Sequence, residues 1–501
     1  MNSDDQLTPA THLSIQELPS VIRELFALAG RELLPAARAD LFVRYLRRKP
    51  GRGLAIIYEA CERRPRHQRL SAVRQTISLT LEEQALAGAA IRITPEQARN
   101  TSLELPGAGI LQAGDLGIAL QTFPADSSLP HLANCCDTSS GSPLLEHLQA
   151  AARVLLEDKN WTLLTAQAVP IRYKPASRCV IRYDLLLAQQ REDNTRRQIS
   201  LFGKVYVNTD QADAIYRSLQ QLYAEQLNVQ DSAFQQTPLL PRPLLFVASE
   251  GLILNEAISA RTPGGELRTG NKALQAHFIR ERGGRTVSSQ PPAEELRLAA
   301  SALARLHTST VALDEKILRS GAKEARRASE RAALLVGYYP ALASDLEDLA
   351  EVLTQRLGIF QPENYRPAHG GFKSSQLLYH DETVSVVDFD GFCRADPALD
   401  VGYFLAYLRP SSLWYGRHGA RAWFEAAAEI FTTTYTNTLQ ELGVSHEEAE
   451  NILLRAQLYT AALLFKIATR RVHRLNSPRT QELAGMLKEI ASCLARTRRM
   501  E

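Results

Sequence analysis

The stretch HGGFKSSQ at residues 369–376 constrains the fold of this chain more than any other feature. Seventeen positions after Gly371 (388 − 371), an apolar run ends in VVDFDGF. Between the two segments lie the β-prone runs LLY and TVSVV, which the polar tripeptide HDE separates, and such a pattern predicts a β-hairpin. Because a hairpin returns the chain to its starting point, Gln376 and Asp388 are predicted to lie near each other.

An amide oxygen beside a carboxylate suits Mg²⁺, which takes oxygen ligands in octahedral geometry and usually only one or two carboxylates from the protein. Gln376 and Asp388 are therefore candidate metal ligands. Phosphate and water would supply the remaining ligands.

The chain is long enough to form a cleft around such a site. Its 501 residues, of which 45% are hydrophobic and 23% charged, predict two or three domains or lobes. The 58 basic and 55 acidic residues nearly balance, which gives no support to a nucleic-acid partner. The polar start MNSDDQLTPATHL, the six cysteines without a CxxC motif and the lack of a long apolar run predict a cytoplasmic protein that does not span a membrane.

The order of the segments predicts an α+β fold with two lobes. After a helix at residues 144–156, the runs AVPIRYK, CVIRYDLLLA and QISLFGKVYV predict an antiparallel meander, and a helix follows at residues 211–227. A polar stretch with paired glycines comes next, and the chain then becomes strongly helical. We predict a strand-rich N-lobe at 144–258, a mobile crossover at 259–297 and a helical C-lobe at 298–501.

Residues 1–143 predict an additional small α/β extension that begins with a helix near residues 21–34. Within it, KPGRGLAIIYE from Lys49 to Glu59 aligns without a gap on KPASRCVIRYD from Lys174 to Asp184, an offset of 125 (174 − 49). Either a partial repeat of the N-lobe or a chance similarity of two hairpins would explain this similarity.

The segments together resemble the protein-kinase-like fold, and within it the aminoglycoside phosphotransferase and choline kinase branch. The resemblance is carried by H-x-x-F-K-x-x-Q, the hairpin, DFD, and DPALD before the apolar VGYFLAYL, and it covers about residues 150–475. It implies ATP and Mg²⁺ as cofactors and transfer of phosphate to an alcohol group of a small molecule.

The resemblance also implies roles for residues of the loop. His369 matches the histidine that buttresses the loop, and Lys373 matches a lysine that faces the transferred phosphate. Asp388 matches the metal-binding aspartate, and Asp400 matches a buried aspartate that holds the loop's backbone.

On the nucleotide side, Lys204 in LFGKVYV matches the lysine that pairs with the α and β phosphates. Its implied partner is a helical glutamate, which we predict to be Glu225, with Asp213 as an alternative. The remaining predicted nucleotide-binding residues lie in the turn KPASR and in the hinge-like LILNEA, and they are Lys174, Ser177, Arg178 and Glu256.

One position departs from the family pattern, because Gly371 stands where the family has its catalytic aspartate. That aspartate accepts the proton of the acceptor hydroxyl and orients its oxygen, and general-base catalysis of this kind contributes roughly 10²- to 10⁴-fold in rate. A phosphotransferase with impaired or unorthodox catalysis is the first hypothesis. The second is a nucleotide-binding pseudokinase that acts as a scaffold or regulator through a protein partner bound by residues 1–143, and the third is nucleotidyl transfer.

The identity of the small-molecule acceptor stays open at this point. An aminoglycoside would need an acidic cleft, and the acidic residues of the C-lobe are interpreted mainly as solvated helix faces. The basic residues that follow an apolar helix predict a solvated helix end rather than a binding patch, and they are Arg470, Arg471, His473 and Arg474.

Overall fold

The computed structural model describes residues 39–49, 53–62, 73–81, 102–114, 117–189, 195–228, 239–258, 267–269, 273–274, 280–282, 285–287, 290–313, 317–380, 382–472 and 480–497. The helix predicted near residues 21–34 lies outside these ranges.

The first described unit is a six-stranded sheet with the strand order β1-β2-β3-β6-β5-β4, in which neighbours are antiparallel. Alternating side chains of these strands are buried, among them Ile56, Tyr58, Leu111 and Leu120, as expected for strands that cover one side of a core. The strands are β1 (Ala39–Lys49), β2 (Gly53–Glu62), β3 (Val73–Leu81), β4 (Glu104–Gly107), β5 (Ile110–Ala113) and β6 (Ile118–Thr122).

The N-lobe is a second antiparallel sheet, with the order β10-β11-β9-β8-β7, and the predicted meander is confirmed as β7, β8 and β9. Leu129, Leu132 and Cys135, which were predicted to belong to the extension, pack in the core of this lobe. The elements of the N-lobe are α1 (Pro143–Leu156), β7 (Trp161–Lys174), β8 (Arg178–Gln189), β9 (Arg196–Tyr206), α2 (Thr209–Asn228), β10 (Pro243–Val247) and β11 (Leu252–Glu256).

The two similar eleven-residue segments lie on equivalent parts of two hairpins. Lys49 pairs with Gly53 across the β1–β2 turn, and Lys174 pairs with Arg178 across the β7–β8 turn, so both turns have the same length. The aligned isoleucines and tyrosines are all fully buried, namely Ile56 with Ile181 and Tyr58 with Tyr183.

Only parts of the predicted crossover are described, and they are short strands followed by the start of a helix. β12 (Leu267–Thr269) pairs with a strand of the C-lobe, while β13 (Arg280–Arg282) and β14 (Arg285–Val287) form a hairpin. The next helix, α3 (Ala293–His307), begins inside the range that was predicted as crossover.

The C-lobe is helical, as predicted, and carries two small sheets. Two helices span most of residues 321–359, and they are separated at Pro340, which lacks the amide hydrogen that a continuous helix would need. The elements are β15 (Leu318–Arg319), α4 (Gly321–Tyr338), α5 (Ala343–Ile359), β16 (Arg366–Ala368), β17 (Leu377–His380), β18 (Thr383–Val386), β19 (Cys393–Ala395), α6 (Ala398–Leu408), α7 (Ala420–Glu441), α8 (His446–Val472) and α9 (Leu483–Arg496).

Helix α8 is long and apolar enough to cross a membrane, but 78% of its most apolar stretch is buried inside the protein. A helix that is hydrophobic on most sides and surrounded by other helices is typical of the core of a large domain. The other long helices of the described chain do not meet that measure of length and hydropathy.

Part of the N-lobe packs into the hydrophobic core of the C-lobe. Residues on one side of α2, including Ile215, Leu219 and Leu222, pack in the same cluster as the buried residues of the C-lobe helices. The amide of Val386 at the end of β18 donates a 2.6 Å hydrogen bond to the carbonyl oxygen of Leu239, just before β10. The predicted bilobal, protein-kinase-like α+β arrangement is confirmed.

Candidate active site

The loop HGGFKSSQ begins directly after β16, and its first glycine is required by the backbone. Gly370 has φ = +71°, and a Cβ atom there would lie 2.0 Å from the carbonyl oxygen of Gly391. A side chain at 370 would therefore both strain the backbone and push the loop away from the DFDG segment. The guanidinium of Arg319 donates a 2.6 Å hydrogen bond to the carbonyl oxygen of Gly370 and holds it from the other side.

Asp400, at the start of α6, fixes the same loop through its backbone. Its carboxylate accepts hydrogen bonds from the amides of Gly370 and Phe372, each at 3.3 Å, and lies 3.5 Å from Nε2 of His307. Burial acts to raise the pKa of Asp400, but His307 and the backbone amide of Phe372 outweigh it and hold the pKa below its usual range. The predicted structural role of Asp400 is confirmed.

His369 lies behind the loop, packed against Phe389 with ring centroids 4.8 Å apart. Its Nε2 is 3.1 Å from the carbonyl oxygen of Val387 and donates to it when the ring is neutral. Burial lowers the pKa of His369, so the neutral form is favoured. This position suits a buttress of the loop, and the buried ring does not face the cleft.

Gly371 stands at the position that the resemblance assigns to the aspartate. A Cβ atom at 371 would have a single neighbour within 4 Å, Nδ1 of His369 at 3.9 Å. The surroundings of Gly371 therefore accommodate a Cβ atom without a clash.

The predicted hairpin is formed by β17 and β18, and it brings the two candidate metal ligands together. Nε2 of Gln376 donates a 3.2 Å hydrogen bond to Oδ2 of Asp388. Asp388 itself has left-handed backbone angles (φ 70°, ψ 52°), which turn its carboxylate toward the cleft between the lobes. Its short side chain tolerates this conformation better than most.

Across the cleft, two cations of the N-lobe meet two carboxylates of the C-lobe. Nζ of Lys204 on β9 lies 2.5 Å from Oδ1 of Asp388 and also contacts Asp390. Arg178, at the start of β8, contacts Asp390 and lies 3.6 Å from Oδ2 of Asp388. Tyr206 donates a 2.8 Å hydrogen bond to Oδ1 of Asp390. We name these five residues the cleft cluster.

Opposite charges in the cleft cluster shift its acid–base equilibria. Burial acts to raise the pKa of Asp388, but Lys204 and Arg178 outweigh it and keep the pKa well below the usual range of a carboxyl group. Burial and the nearby Asp390 raise the pKa of Tyr206 well above its ordinary value. Asp388 is thus ionised and Tyr206 protonated near neutral pH.

Two members of the cleft cluster were not predicted as site residues. Asp390 belongs to the DFD motif that carried the prediction, and its spacing of two from Asp388 was the signal that could have identified it. Tyr206 follows Lys204 by two positions on β9, so both side chains point to the same face of the strand.

The predicted partner of Lys204 is wrong. Glu225 accepts hydrogen bonds from the amide of Thr310 at 2.7 Å and from its hydroxyl at 2.8 Å, and therefore ties α2 to the segment after α3. The alternative, Asp213, pairs with Arg217 on the surface of α2. Lys204 pairs instead with carboxylates of the C-lobe.

Glu256 lies apart from the cleft cluster at the end of β11. Its side chain accepts a hydrogen bond from the amide of Arg242 at 3.2 Å, and its own amide donates to the carbonyl oxygen of Arg242 at 2.9 Å. It therefore braces the start of β10 where the two strands leave the sheet.

The turn KPASR is held by the segment before α1. Oδ2 of Asp126 accepts hydrogen bonds from the hydroxyl of Tyr173 at 2.7 Å and from the amide of Ala176 at 2.8 Å, where Ala176 has φ = +53°. The same turn places Lys174 at an exposed position and Ser177 at a half-buried one.

Lys373 lies over the ring of Tyr407, with 5.3 Å between Nζ and the ring centroid. Burial, together with Arg470 and Lys466, lowers the pKa of Lys373 to about 8, although Asp388 acts in the opposite direction. Lys373 therefore packs on α6 near cations of the C-lobe, while Asp388 of the cleft cluster also acts on its charge.

A comparison with family models finds a match that includes the cleft. Residues 204–433, which begin at the lysine of the cleft cluster and contain the loop and the DFD motif, match the model of the phosphotransferase enzyme family. This segment is therefore similar to that family. The resemblance inferred from the sequence is thereby confirmed over these residues.

Solved structures of small-molecule kinases are similar to the chain at low identity. A glucosamine kinase is 17% identical, with 99% of this chain and 100% of that chain covered and a TM-score of 0.43. A choline/ethanolamine kinase family protein from Mesorhizobium loti is 14% identical, with 63% and 85% covered and a TM-score of 0.38. Ethanolamine kinase from Plasmodium vivax is 12% identical, with 67% and 84% covered and a TM-score of 0.38. No curated protein matches the chain in a sequence search.

The cleft cluster fits the groups that the family implies. Its carboxylates offer the oxygen ligands that Mg²⁺ prefers, and Lys204 and Arg178 offer donors to phosphate. Gln376 directs its Nε2 toward Asp388 and its Oε1 accepts from Ser375, so its amide would have to rotate to offer an oxygen to the metal. Within the described residues there is no group of three or more His, Cys, Asp or Glu side chains that could hold a metal alone. A magnesium ion here would accordingly depend on phosphate oxygens for part of its coordination.

Proposed function

We propose that this chain is an ATP- and Mg²⁺-dependent phosphotransferase-like protein that acts on a small hydroxylated molecule without the usual aspartate base. The observation that carries the proposal is the cleft cluster, in which Lys204 from the N-lobe meets Asp388 from the C-lobe at 2.5 Å. A strand lysine for the phosphates opposite a carboxylate for the metal is the arrangement that phosphoryl transfer needs.

Each residue has a distinct task in this proposal. Lys204 and Arg178 would bind phosphate oxygens, while Asp388, Gln376 and Asp390 would hold the metal. When bound, Mg-ATP supplies the phosphoryl group and the ion that offsets its charge. Because phosphoryl transfer passes through a loose transition state, positioning and electrostatic stabilisation by these residues can sustain slow transfer without a general base.

The experiment compares nucleotide binding and transfer in matched variants. Calorimetric titration with Mg-ADP is expected to show saturable binding that Lys204→Met and Asp388→Asn each weaken at least tenfold. Arg217→Met, on the exposed face of α2, is the control and should leave the affinity unchanged. Absence of Mg-ADP binding to the wild-type chain would overturn the proposal.

A second candidate, a nucleotide-binding pseudokinase, is favoured by the missing side chain at Gly371. The two candidates separate on Gly371→Asp, because the loop has room for the new side chain. If transfer is limited by the missing base, this variant should transfer phosphate to a panel of small alcohols roughly 10²- to 10⁴-fold faster than wild type. Gly371→Asn, which has the same shape but no basic carboxylate, should not. Unchanged transfer in Gly371→Asp with intact Mg-ADP binding supports the pseudokinase.

A further inference from the structure

The face of the C-lobe beside the loop carries positive charge that the described residues do not neutralise. Four cations lie there on three different elements: Arg331 on α4, Lys373 in the loop, and Lys466 and Arg470 on α8. We name these four residues the cationic cluster. It is separate from the cleft cluster, which contains Lys204 and Arg178.

Two tyrosines of α6 bring the cationic cluster together. The rings of Tyr403 and Tyr407 stack with centroids 6.3 Å apart. Lys373 lies over the ring of Tyr407, whose hydroxyl accepts a 2.8 Å hydrogen bond from Arg470. Nζ of Lys466 lies 4.8 Å from the ring centroid of Tyr403 and donates to its hydroxyl.

Two described carboxylates act on the cluster, Glu324 on Arg331 and Lys466, and Asp388 on Lys373, and they are fewer than its cations. Glu324 on α4 is buried; its Oε1 accepts a 2.7 Å hydrogen bond from Arg319 and pairs with Arg327, while its Oε2 has no hydrogen-bond partner. Burial acts to raise the pKa of Glu324, but these two arginines hold it at about 2, so the carboxylate is ionised and shared. The cationic cluster therefore keeps an excess of positive charge.

Arg331 gives an independent indication that an anionic ligand can bind here. Its Nη1 is buried and has no hydrogen-bond partner. A buried donor without a partner is costly, and an arginine donor is well suited to bind a phosphate or carboxylate. Helix α4, which carries Arg331, packs against α8, which carries Lys466, and Arg331 acts to lower the pKa of Lys466.

The cationic cluster lies next to the part of the loop where an acceptor would bind. Arg319 hydrogen-bonds both the carbonyl oxygen of Gly370 and the hydroxyl of Tyr403, and Lys373 follows Gly371 by two positions. The cations thus border the point of the loop where an acceptor hydroxyl would meet the transferred phosphate. On the other side of the same loop, Gln376 and Asp388 belong to the nucleotide side.

We propose that the cationic cluster binds the anionic group of the acceptor, which is therefore a hydroxylated molecule that carries a phosphate or a similar oxyanion. Four cations from three elements lie close together, which suits a phosphate, because charge-assisted hydrogen bonds are among the strong ones. The cluster does not fit a cationic acceptor such as an aminoglycoside, which like charges would repel. Arg470 is exposed at the end of α8, as the prediction of a solvated helix end requires, and it can therefore reach an anion from solvent.

The state of Lys466 and Lys373 supports the same conclusion. Burial and the neighbouring arginines lower the pKa of Lys466 to about 6, and burial with Arg470 and Lys466 lowers that of Lys373 to about 8. A bound dianion would relieve this repulsion and raise both pKa values.

The proposal rests on the proposed function for the direction of transfer, but anion binding is measured without nucleotide, so the two can fail separately. The probes are sulfate, which does not titrate near neutral pH, and the matched pair glycerol 3-phosphate and glycerol. Calorimetry on the full chain should show saturable binding of sulfate and of glycerol 3-phosphate, and none of glycerol.

Single substitutions show where the anion binds. Arg331→Met and Lys466→Met should each raise the Kd for both anions at least tenfold, with circular dichroism confirming that each variant is folded. Arg326→Met is the matched control, since Arg326 lies on the same helix, is exposed and pairs with Glu330, and it should change the Kd less than twofold. Lys204→Met should also leave anion binding intact.

Two results would overturn the inference. One is the absence of saturable binding of either anion to the wild-type chain. The other is binding that Lys204→Met abolishes and that Arg331→Met leaves unchanged, because the anion would then occupy the cleft cluster. Anion binding that depends on Arg331, in a chain that fails to bind Mg-ADP, would uphold the site and refute the proposed function.

Discussion

The amine of Lys466 lies where a positive charge is costly. In the unfolded chain its pKa is near the usual value of a lysine, so at pH 7 the unfolded state holds a proton that the folded state largely releases. The unfolded state therefore binds more protons between about pH 6 and pH 10, and the contribution of Lys466 to stability rises with pH across that window. Below about pH 6 the amine of Lys466 is protonated in both the folded and the unfolded state, and its charge then destabilises the folded state by the full amount.

We predict that Lys466→Met stabilises the folded chain while it removes anion binding. At pH 6 the free energy of unfolding should rise by about 1 to 3 kcal/mol, and the gain should shrink as the pH increases toward 9. Tyr403 keeps a hydrogen bond from Arg319 in the variant, so its hydroxyl is not left without a partner. Urea unfolding at pH 6, 7.5 and 9 measures this.

The control is Lys488→Met, at an exposed position of α9, which should change the free energy of unfolding by less than about 0.5 kcal/mol at each pH. A loss of stability in Lys466→Met that is the same at all three pH values would contradict the assigned ionisation.

At the scale of elements, the β7–β8 turn depends on a residue 50 positions earlier. Asp126 is buried and accepts three hydrogen bonds, from Tyr173, from the amide of Ala176, and from the amide of Ser128 at 2.9 Å. The turn precedes Arg178, whose guanidinium reaches Asp390 in the cleft cluster. A residue of the segment before α1 thus sets the position of a nucleotide-side cation.

We predict that Asp126→Ala lowers the free energy of unfolding by about 1 to 3 kcal/mol and weakens Mg-ADP binding several-fold, because the turn loses two of its anchors. Asp137→Ala is the control, since Asp137 is exposed and its carboxylate accepts a 2.9 Å hydrogen bond from the amide of Ser139 in the same segment. Calorimetric titration and thermal unfolding are measured on the same preparations. A destabilised Asp126→Ala with unchanged affinity for Mg-ADP would show that the turn does not contact the nucleotide.

The elements also show what the sequence could predict. The hairpin and the approach of Gln376 to Asp388 followed from local spacing, because a short turn fixes which residues face each other. The partner of Lys204 could not be predicted from local spacing, since it depends on how α2 is rotated against the sheet and on how closely the other lobe approaches. The cationic cluster was missed for the same reason: Arg331 and Lys466 are 135 positions apart (466 − 331), and the packing of α4 against α8 brings them to the same part of the C-lobe.

At the scale of the whole molecule, polar contacts between described residues of the two lobes differ in chemistry. The cleft cluster joins them by charge, the backbone bond between Leu239 and Val386 joins them beside β18, and Glu225 ties α2 to Thr310. The charged junction is the one that nucleotide binding would reorganise, because Lys204 and Arg178 would turn from carboxylates toward phosphates. Its strength therefore sets part of the energetic cost of binding.

Asp390→Ala tests how far this junction stabilises the chain. The variant removes the acceptor of Lys204, Arg178 and Tyr206 at once and leaves two largely buried cations with Asp388 alone. We expect the free energy of unfolding to fall by about 1 to 3 kcal/mol, since removing one partner leaves charges without compensation. Asp213→Ala, which breaks an exposed pair within α2, should cost less than about 0.5 kcal/mol. Calorimetric unfolding of the full chain at low and high salt measures this. If the free energy of unfolding falls no more in Asp390→Ala than in Asp213→Ala, then apolar packing holds the lobes together and the cleft cluster does not.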